Sequence, residues 1–187
     1  MGIWRFFSII GHPLLLGSGY VFLMSFRKLE ATLAWKVSMI TLGLITLPVI
    51  IHNFIRMKKG DYSNFDVSNR LQRKSFYPFI LLLFLLLIGL SYWMKFPQEV
   101  IKQTLIIGLM LGILAFINLK IKASLHAALA FFIALIMGME FPTWQWPFFL
   151  FASIVAYSRL KTQKHSLPEL LIGGIIGVLA GIFIDIG

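Results

Sequence analysis

The stretch FYPFILLLFLLLIGLSYWM, residues 76–94, decides the fold, because it carries no charged side chain over 19 consecutive positions. A helix rises 1.5 Å per residue, so such a segment is about 28 Å long, close to the thickness of the hydrocarbon core of a bilayer. Within that core a helix satisfies every backbone hydrogen bond internally. The segment therefore predicts a membrane-spanning helix.

Six further apolar segments predict an all-α, polytopic integral membrane bundle of about six or seven transmembrane helices, forming one domain over residues 1–187. They cover residues 6–26, 33–55, 100–119, 123–138, 144–157 and 168–186. Only 13% of the residues are charged, roughly half the fraction of an ordinary soluble domain. We expect the first segment to be retained as a span, because no small-residue cleavage site marks it as a signal peptide.

The net charge of +10 lies in short loops between the apolar segments, which favours anionic lipid headgroups over nucleic acid as the partner. No nucleic-acid-binding motif is present. Alternation of the segments puts 12 of the 17 Lys and Arg residues on one face, here called the basic face: the N-terminus and the loops at 56–75, 120–122 and 159–167. The positive-inside rule predicts that this face is cytoplasmic in a bacterial inner membrane. The sequence leaves the oligomeric state open.

Two loops of the basic face carry the residues that could take part in catalysis or ligand binding. Segments five and six form one hairpin, so the loop before segment five and the loop after segment six should return to the same face. His165 and Glu169 are one helical turn apart, where a carboxylate can orient an imidazole and stabilise its cationic form. A histidine held in this way can act as a nucleophile or as an acid–base group.

Other residues of the same loops suit an anion. Arg159 offers a planar fork for phosphate oxygens, and Lys122 offers a point charge. Ser124 precedes a predicted helix, where free N–H groups favour negative charge. His126 is a second histidine beside them. These residues contain the parts for phosphoryl transfer without a metal ion or another cofactor.

The pattern formed by Ser158, Arg159, His165 and Glu169 resembles a motif of a known family. Ser158-Arg159, five residues, His165, three residues and Glu169 are similar to the Ser-Arg-x5-His-x3-Asp motif of the type-2 phosphatidic-acid phosphatases, also called lipid phosphate phosphatases. The spacing is the same, and Glu replaces Asp.

Two weaker patterns extend the resemblance over about residues 70–187. Ala123-Ser124-Leu125-His126 resembles the Pro-Ser-Gly-His motif of the family at Ser and His. Arg70, six residues and Tyr77-Pro78 resemble its Lys-x6-Arg-Pro motif, with Arg for Lys and Tyr for Arg. Leu125 stands where the family has a glycine that lets the backbone approach phosphate. The chain is thus identified as a divergent member.

The resemblance implies roles for individual residues. His165 would be the nucleophile that forms a phosphohistidine, Glu169 would orient it, and His126 would protonate the leaving lipid alkoxide. The implied phosphate-binding residues are Arg159, Ser124 and Arg70, with Lys122, Arg73 and Lys74 as further cations. The implied activity is metal-independent hydrolysis of a phosphomonoester or diphosphate on a lipid. Phosphatidate, phosphatidylglycerol phosphate and polyprenyl phosphates all present this headgroup.

Two other functions remain open. The altered motifs are compatible with a non-catalytic lipid-binding or transport protein on the same fold. Asp61 and Asp66 resemble one acidic loop of the intramembrane prenyltransferases that bind diphosphate through Mg²⁺. Such enzymes need a second acidic loop, and no paired carboxylates follow Ser75. Four glycines in the last segment predict close helix packing instead of chemistry: Gly173, Gly174, Gly177 and Gly181.

Overall fold

The computed structural model describes residues 2–185, with side chains described up to Ile184, and all regular structure in that range is helical. The α-helices are α1 Gly2–Ile10, α2 Pro13–Lys28, α3 Ala31–Thr41, α4 Leu47–Lys58, α5 Arg73–Trp93, α6 Gln98–Asn118, α7 Leu125–Glu140, α8 Gln145–Lys161 and α9 Leu167–Asp185. A π-helical segment, Leu42–Thr46, joins α3 and α4, and a 3-10 turn, Pro142–Trp144, precedes α8. The prediction of an all-α fold is confirmed for the described residues.

The helices coincide with the seven predicted segments, although Ile186, the end of the last one, lies outside the described residues. Four helices in the described range are long and apolar enough to cross a membrane: Ala31–Lys58, Arg73–Trp93, Gln98–Asn118 and Leu167–Ile184. The pair α1 and α2, bent by 46° at Gly11 and His12, would make a fifth crossing or a re-entrant loop. The structure therefore supports a multi-pass helical protein with four or five candidate spans.

The two remaining helices are short for a crossing. Helix α7 has 16 residues and α8 has 17. At 1.5 Å per residue they are about 24 and 26 Å long, less than the usual 30 Å of a hydrocarbon core. They account for the difference between the four or five candidate spans and the predicted six or seven.

The chain divides into two compact units. The first unit comprises Met1–Gly17 and Lys120–Gly187, and the second unit comprises Ser18–Leu119. In the second unit α5 packs on α6 and on the π-helical segment. A hydrogen bond of 3.1 Å from Tyr20 Oη to Gln103 Oε1 ties α2 to α6 within this unit.

Helix α7 is the centre of the first unit, because it packs between α8 and α9. Small residues make this possible: Ala130 and Ala134 of α7 pack against Ala152 and Val155 of α8 in a buried apolar cluster. Small side chains bring helix axes close together and increase the dispersion contacts between them.

Glycines on α9 let its backbone touch the backbone of α7. A Cβ atom added at Gly173 would collide with the carbonyl oxygen of Ser124, and one added at Gly177 would collide with that of Ala128. Gly174 and Gly181 likewise meet side chains of α7. The predicted role of these glycines in close packing is confirmed.

Helix α1 packs on the outside of α8. The rings of Trp4 and Tyr157 meet edge to face with centroids 5.0 Å apart. At the break after α1, Gly11 leaves room for the Val155 side chain, which a Cβ atom would strike. These contacts fix the N-terminal helix against the C-terminal half of α8.

We expect Gly177→Ala to lower the free energy of unfolding by about 1–3 kcal/mol, because the added methyl group forces α7 and α9 apart. Thermal unfolding in detergent, followed by circular dichroism, measures this as a lower midpoint. Gly89→Ala is the matched control, since nothing lies within 4 Å of a Cβ atom there. Equal midpoints for Gly177→Ala and the wild type would contradict the close backbone contact.

Candidate functional site

The two loops that carry the candidate catalytic and binding residues meet at one end of the first unit. We call residues 122–126 and 158–169 together the loop cluster. Lys122 Nζ donates a hydrogen bond of 2.7 Å to the carbonyl oxygen of Lys164. The backbone N–H of Ser124 donates to the carbonyl oxygen of Glu169 at 3.0 Å. The N-termini of α7 and α9 and the C-terminus of α8 are thereby brought together, as the hairpin argument predicts.

The C-terminus of α8 sets the distance between Arg159 and His165. The carbonyl oxygen of Arg159 accepts the N–H of Lys164 at 3.0 Å, and that of Leu160 accepts the N–H of Gln163 at 3.0 Å. Gln163 has a φ of 55°, the left-handed conformation that this pattern of helix termination requires. The N–H of His165 also donates to the Arg159 carbonyl, at 3.3 Å. The five residues between Arg159 and His165 are therefore those that end helix α8 and turn the chain back.

Glu169 has two partners in the loop before α9. Its Oε2 atom accepts from His165 Nδ1 at 2.9 Å and from the backbone N–H of Ser166 at 3.1 Å. Ser166 precedes α9 and Glu169 is its third residue, so the carboxylate also occupies the capping position at this helix N-terminus. The predicted His165–Glu169 pair is present, and the same carboxylate stabilises the helix.

The position of Glu169 decides which nitrogen of His165 can react. Because Nδ1 is bonded to the carboxylate, chemistry on the imidazole falls to Nε2. Lys122 Nζ lies 3.7 Å from the same Oε2 atom. The carboxylate thus contacts a histidine and a lysine at once. Its negative charge offsets the free-energy cost of placing these two groups close together.

Arg159 is buried at the end of α8, with 1% of its surface exposed. Its Nη1 atom donates a hydrogen bond of 2.6 Å to the hydroxyl oxygen of Ser8 on α1. The sequence argument missed Ser8. The sequence signal for Ser8 was a single hydroxyl among large apolar residues of a short helix. This signal is weak unless the neighbours of Ser8 in the fold are known.

His126 lies in the first turn of α7 and is 4% exposed. Its ring meets the ring of His12 edge to face, with centroids 5.3 Å apart. His12 Nδ1 accepts the backbone N–H of Leu14 at 3.2 Å, so His12 caps the start of α2. Two histidines of the first unit therefore lie side by side.

Ser124 is fully buried and its hydroxyl is used locally. Its Oγ atom accepts the N–H of Ala127 at 3.3 Å, which makes Ser124 the N-cap of α7. In this conformation the predicted phosphate-binding serine stabilises its own helix.

Arg70, which begins the pattern that resembles Lys-x6-Arg-Pro, and the nearby cations Arg73 and Lys74 belong to the second unit. Arg70 Nη1 donates to the carbonyl oxygen of Leu119. Arg73 is buried, and its Nε atom donates to the carbonyl oxygen of Val67 at 2.9 Å. Lys74 is exposed. The two arginines thus bind backbone carbonyls of their own unit.

The loop cluster is closed in this conformation. The His165 side chain is 0% exposed, whereas those of Lys122 and Glu169 are 23% and 20% exposed. Groups that would touch a phosphate are covered, and the partly exposed pair marks the edge of the cluster. In this conformation Arg159 and His165 are therefore covered from solvent.

Comparison with known proteins gives no match: no family model, no curated protein and no solved structure matches this chain. The phosphatase resemblance therefore stays a prediction based on the motif residues.

We expect Glu169→Ala to lower the free energy of unfolding by about 1 kcal/mol, because the Ser166 N–H loses its capping acceptor. Glu169→Gln keeps an acceptor oxygen and should lose less. Thermal unfolding in detergent compares the two. Glu99→Ala is the matched control, because Glu99 is exposed in the first turn of α6, a helix without a side-chain cap. Equal losses in both Glu169 variants would show that charge, not capping, is what this carboxylate contributes.

Proposed function

We propose that this chain is a membrane phosphatase that hydrolyses a lipid phosphomonoester or diphosphate without a metal ion. One observation carries the proposal. The two loops with motif residues, far apart in sequence, meet in one cluster that holds an oriented His165–Glu169 pair, a buried Arg159 and a second histidine, His126. The proposal uses residues of the first unit alone.

In the proposed reaction Nε2 of His165 attacks the phosphorus atom in line with the bond to the lipid oxygen. The P–O bond to the lipid breaks as the P–N bond forms, and His126 gives its proton to the departing alkoxide. Water then attacks the phosphohistidine and gives a proton to His126; the P–N bond breaks, inorganic phosphate leaves, and both histidines are restored. Arg159 stabilises charge on the non-bridging oxygens, and Glu169 stabilises the imidazolium form of His165.

We further propose that six or seven segments cross a bacterial inner membrane, with the loop cluster on the cytoplasmic side. Helices α7 and α8 form a hairpin that crosses twice despite its short length, which local thinning of the bilayer accommodates at modest cost. The lipid tails of the substrate stay in the bilayer, and only the phosphate enters the cluster.

A second candidate function, lipid-phosphate binding or transport without catalysis, is favoured by a specific observation. Ser124 and Glu169 act as helix caps, and the His165 side chain is fully covered. A protein that had lost the chemistry would retain these residues for stability. It would bind lipid phosphate and release no phosphate.

The magnesium-dependent prenyltransferase remains a third candidate. Asp61, which it would use, forms an ion pair of 3.0 Å with Arg56 on the surface of the second unit. This pair gives Asp61 a local role in stabilising its loop. Catalysis of this kind would need added Mg²⁺ and a prenyl diphosphate.

We expect the purified protein in detergent to release phosphate from a panel of lipid phosphates with EDTA present. His165→Ala should reduce this release to background, because no nucleophile remains. His52→Phe is the matched control: it removes a histidine of the second unit and keeps an aromatic ring on Phe79, against which His52 stacks at 4.0 Å.

The outcomes separate the three functions. Full activity of His165→Ala would exclude the phosphohistidine mechanism. Binding of the lipids by folded wild-type protein without turnover would favour the non-catalytic function. Release of diphosphate from a prenyl diphosphate that appears only when Mg²⁺ is restored would favour the prenyltransferase.

Sidedness is tested with single cysteines, since the chain has none of its own. Lys161, at the loop cluster, and Thr143, at the opposite end of the α7–α8 hairpin, are both exposed. In intact bacteria an impermeant thiol reagent should label Thr143→Cys and should label Lys161→Cys only after permeabilisation. The reverse pattern would place the loop cluster outside the cell, and labelling of both in intact cells would contradict a crossing hairpin.

A further inference from the structure

Ser8 is the hydroxyl-bearing residue on the inner face of α1, and it lies outside the region that carries the phosphatase resemblance. It is 8% exposed and lies in the sequence between Trp4 and Gly11, both of which contact α8. Burial of a hydroxyl among apolar groups costs free energy unless it is hydrogen-bonded. The Arg159 guanidinium supplies that bond, at 2.6 Å from Nη1 to Oγ.

The geometry of this bond leaves Ser8 able to bind an anion. A serine hydroxyl has one donor proton and two acceptor lone pairs. Because Oγ accepts from Arg159, the bond occupies a lone pair and does not use the hydroxyl proton. An oxygen of a phosphate on the guanidinium would therefore lie beside a second donor, which comes from α1.

The position of Ser8 does not depend on this bond alone. Trp4 against Tyr157 and Gly11 against Val155 hold α1 on α8 on both sides of Ser8 in the sequence. A hydroxyl held by packing loses little conformational freedom when it contacts a ligand, which is the condition for a useful binding group.

We infer that Ser8 is a further phosphate-binding residue, which holds the Arg159 fork in orientation and donates its hydroxyl proton to a phosphate oxygen. The inference rests on the proposed function of the loop cluster. It gives α1 a direct part in binding the phosphate, so the working site includes the N-terminal helix as well as α7, α8 and α9.

The experiment measures binding separately from turnover. The full-length protein in detergent is titrated with inorganic phosphate and with a short alkyl phosphonate that cannot be hydrolysed, and the Kd is read by calorimetry. We expect Ser8→Ala to weaken binding about tenfold, the lower end of the effect of a hydrogen bond to a charged group. Ser8→Thr keeps the hydroxyl and should restore most of the affinity.

Two further variants guard the interpretation. Ser8→Cys keeps the size of the side chain but donates weakly, so it should weaken binding even if Ser8→Ala fails to fold. Ser153→Ala is the matched control, because the Ser153 hydroxyl donates to the Phe149 carbonyl of its own helix, α8, on an exposed face. It should bind phosphate as the wild type does.

Turnover adds an independent reading. With a lipid phosphate substrate, Ser8→Ala should raise KM with little change in kcat, because the lost contact is present before and during the reaction. Binding by Ser8→Ala as tight as that of the wild type, or tighter, would overturn the inference and make Ser8 only a cover over Arg159. Failure of the wild type to bind either anion would overturn it as well. Binding without turnover would overturn the phosphatase function and leave the role of Ser8 to be judged by the Kd values alone.

Discussion

The contact between the backbones of α7 and α9 is the constraint on which the first unit depends. Gly173 and Gly177 lie one turn apart and touch the carbonyl oxygens of Ser124 and Ala128, also one turn apart. Such an approach fixes the separation and the register of two helices together, because sliding either helix by one residue brings a side chain against a carbonyl. The Ser124 N–H to Glu169 carbonyl bond then closes the same end of the pair. The short distance between the two motif loops follows from this packing.

Much of the fold could be predicted from the sequence, because the pattern of apolar residues is a local property of the chain. The seven segments and the packing glycines were found in this way. The six or seven predicted spans exceed the four or five candidate spans by α7 and α8, which have 16 and 17 residues and are short for a crossing. The break at Gly11 and His12 divides a segment that reads as continuous in hydropathy, because Gly11 is placed by its contact with Val155.

The candidate site was predictable only where its geometry is local. The His165–Glu169 pair follows from helical periodicity, and the Arg159–His165 spacing from a helix termination, so both appear in the sequence. The Ser8–Arg159 bond joins residues 151 positions apart and depends on tertiary packing, which one sequence does not encode in any short pattern. The Ser124 and Glu169 caps show the opposite difficulty. Ser suits phosphate binding and helix capping equally well, and Glu suits the orientation of a histidine and helix capping equally well, so residue type does not separate the two uses.

In the loop cluster, helix capping and anion binding compete for the same N–H groups at the N-termini of α7 and α9. The N-termini of α7 and α9 would attract a phosphate through their unpaired N–H groups and partial positive charge. The Ser124 hydroxyl accepts one of these N–H groups at the start of α7, and the Glu169 carboxylate accepts one at the start of α9. The same carboxylate faces Lys122 and His165. A phosphate that approaches this carboxylate closely meets like charge, whereas the guanidinium of Arg159 would attract it. In the proposed function the anion would therefore bind through Arg159 and away from the Glu169 carboxylate. Because Glu169 holds Nδ1 of His165, Nε2 is the nitrogen that the proposed in-line attack would use.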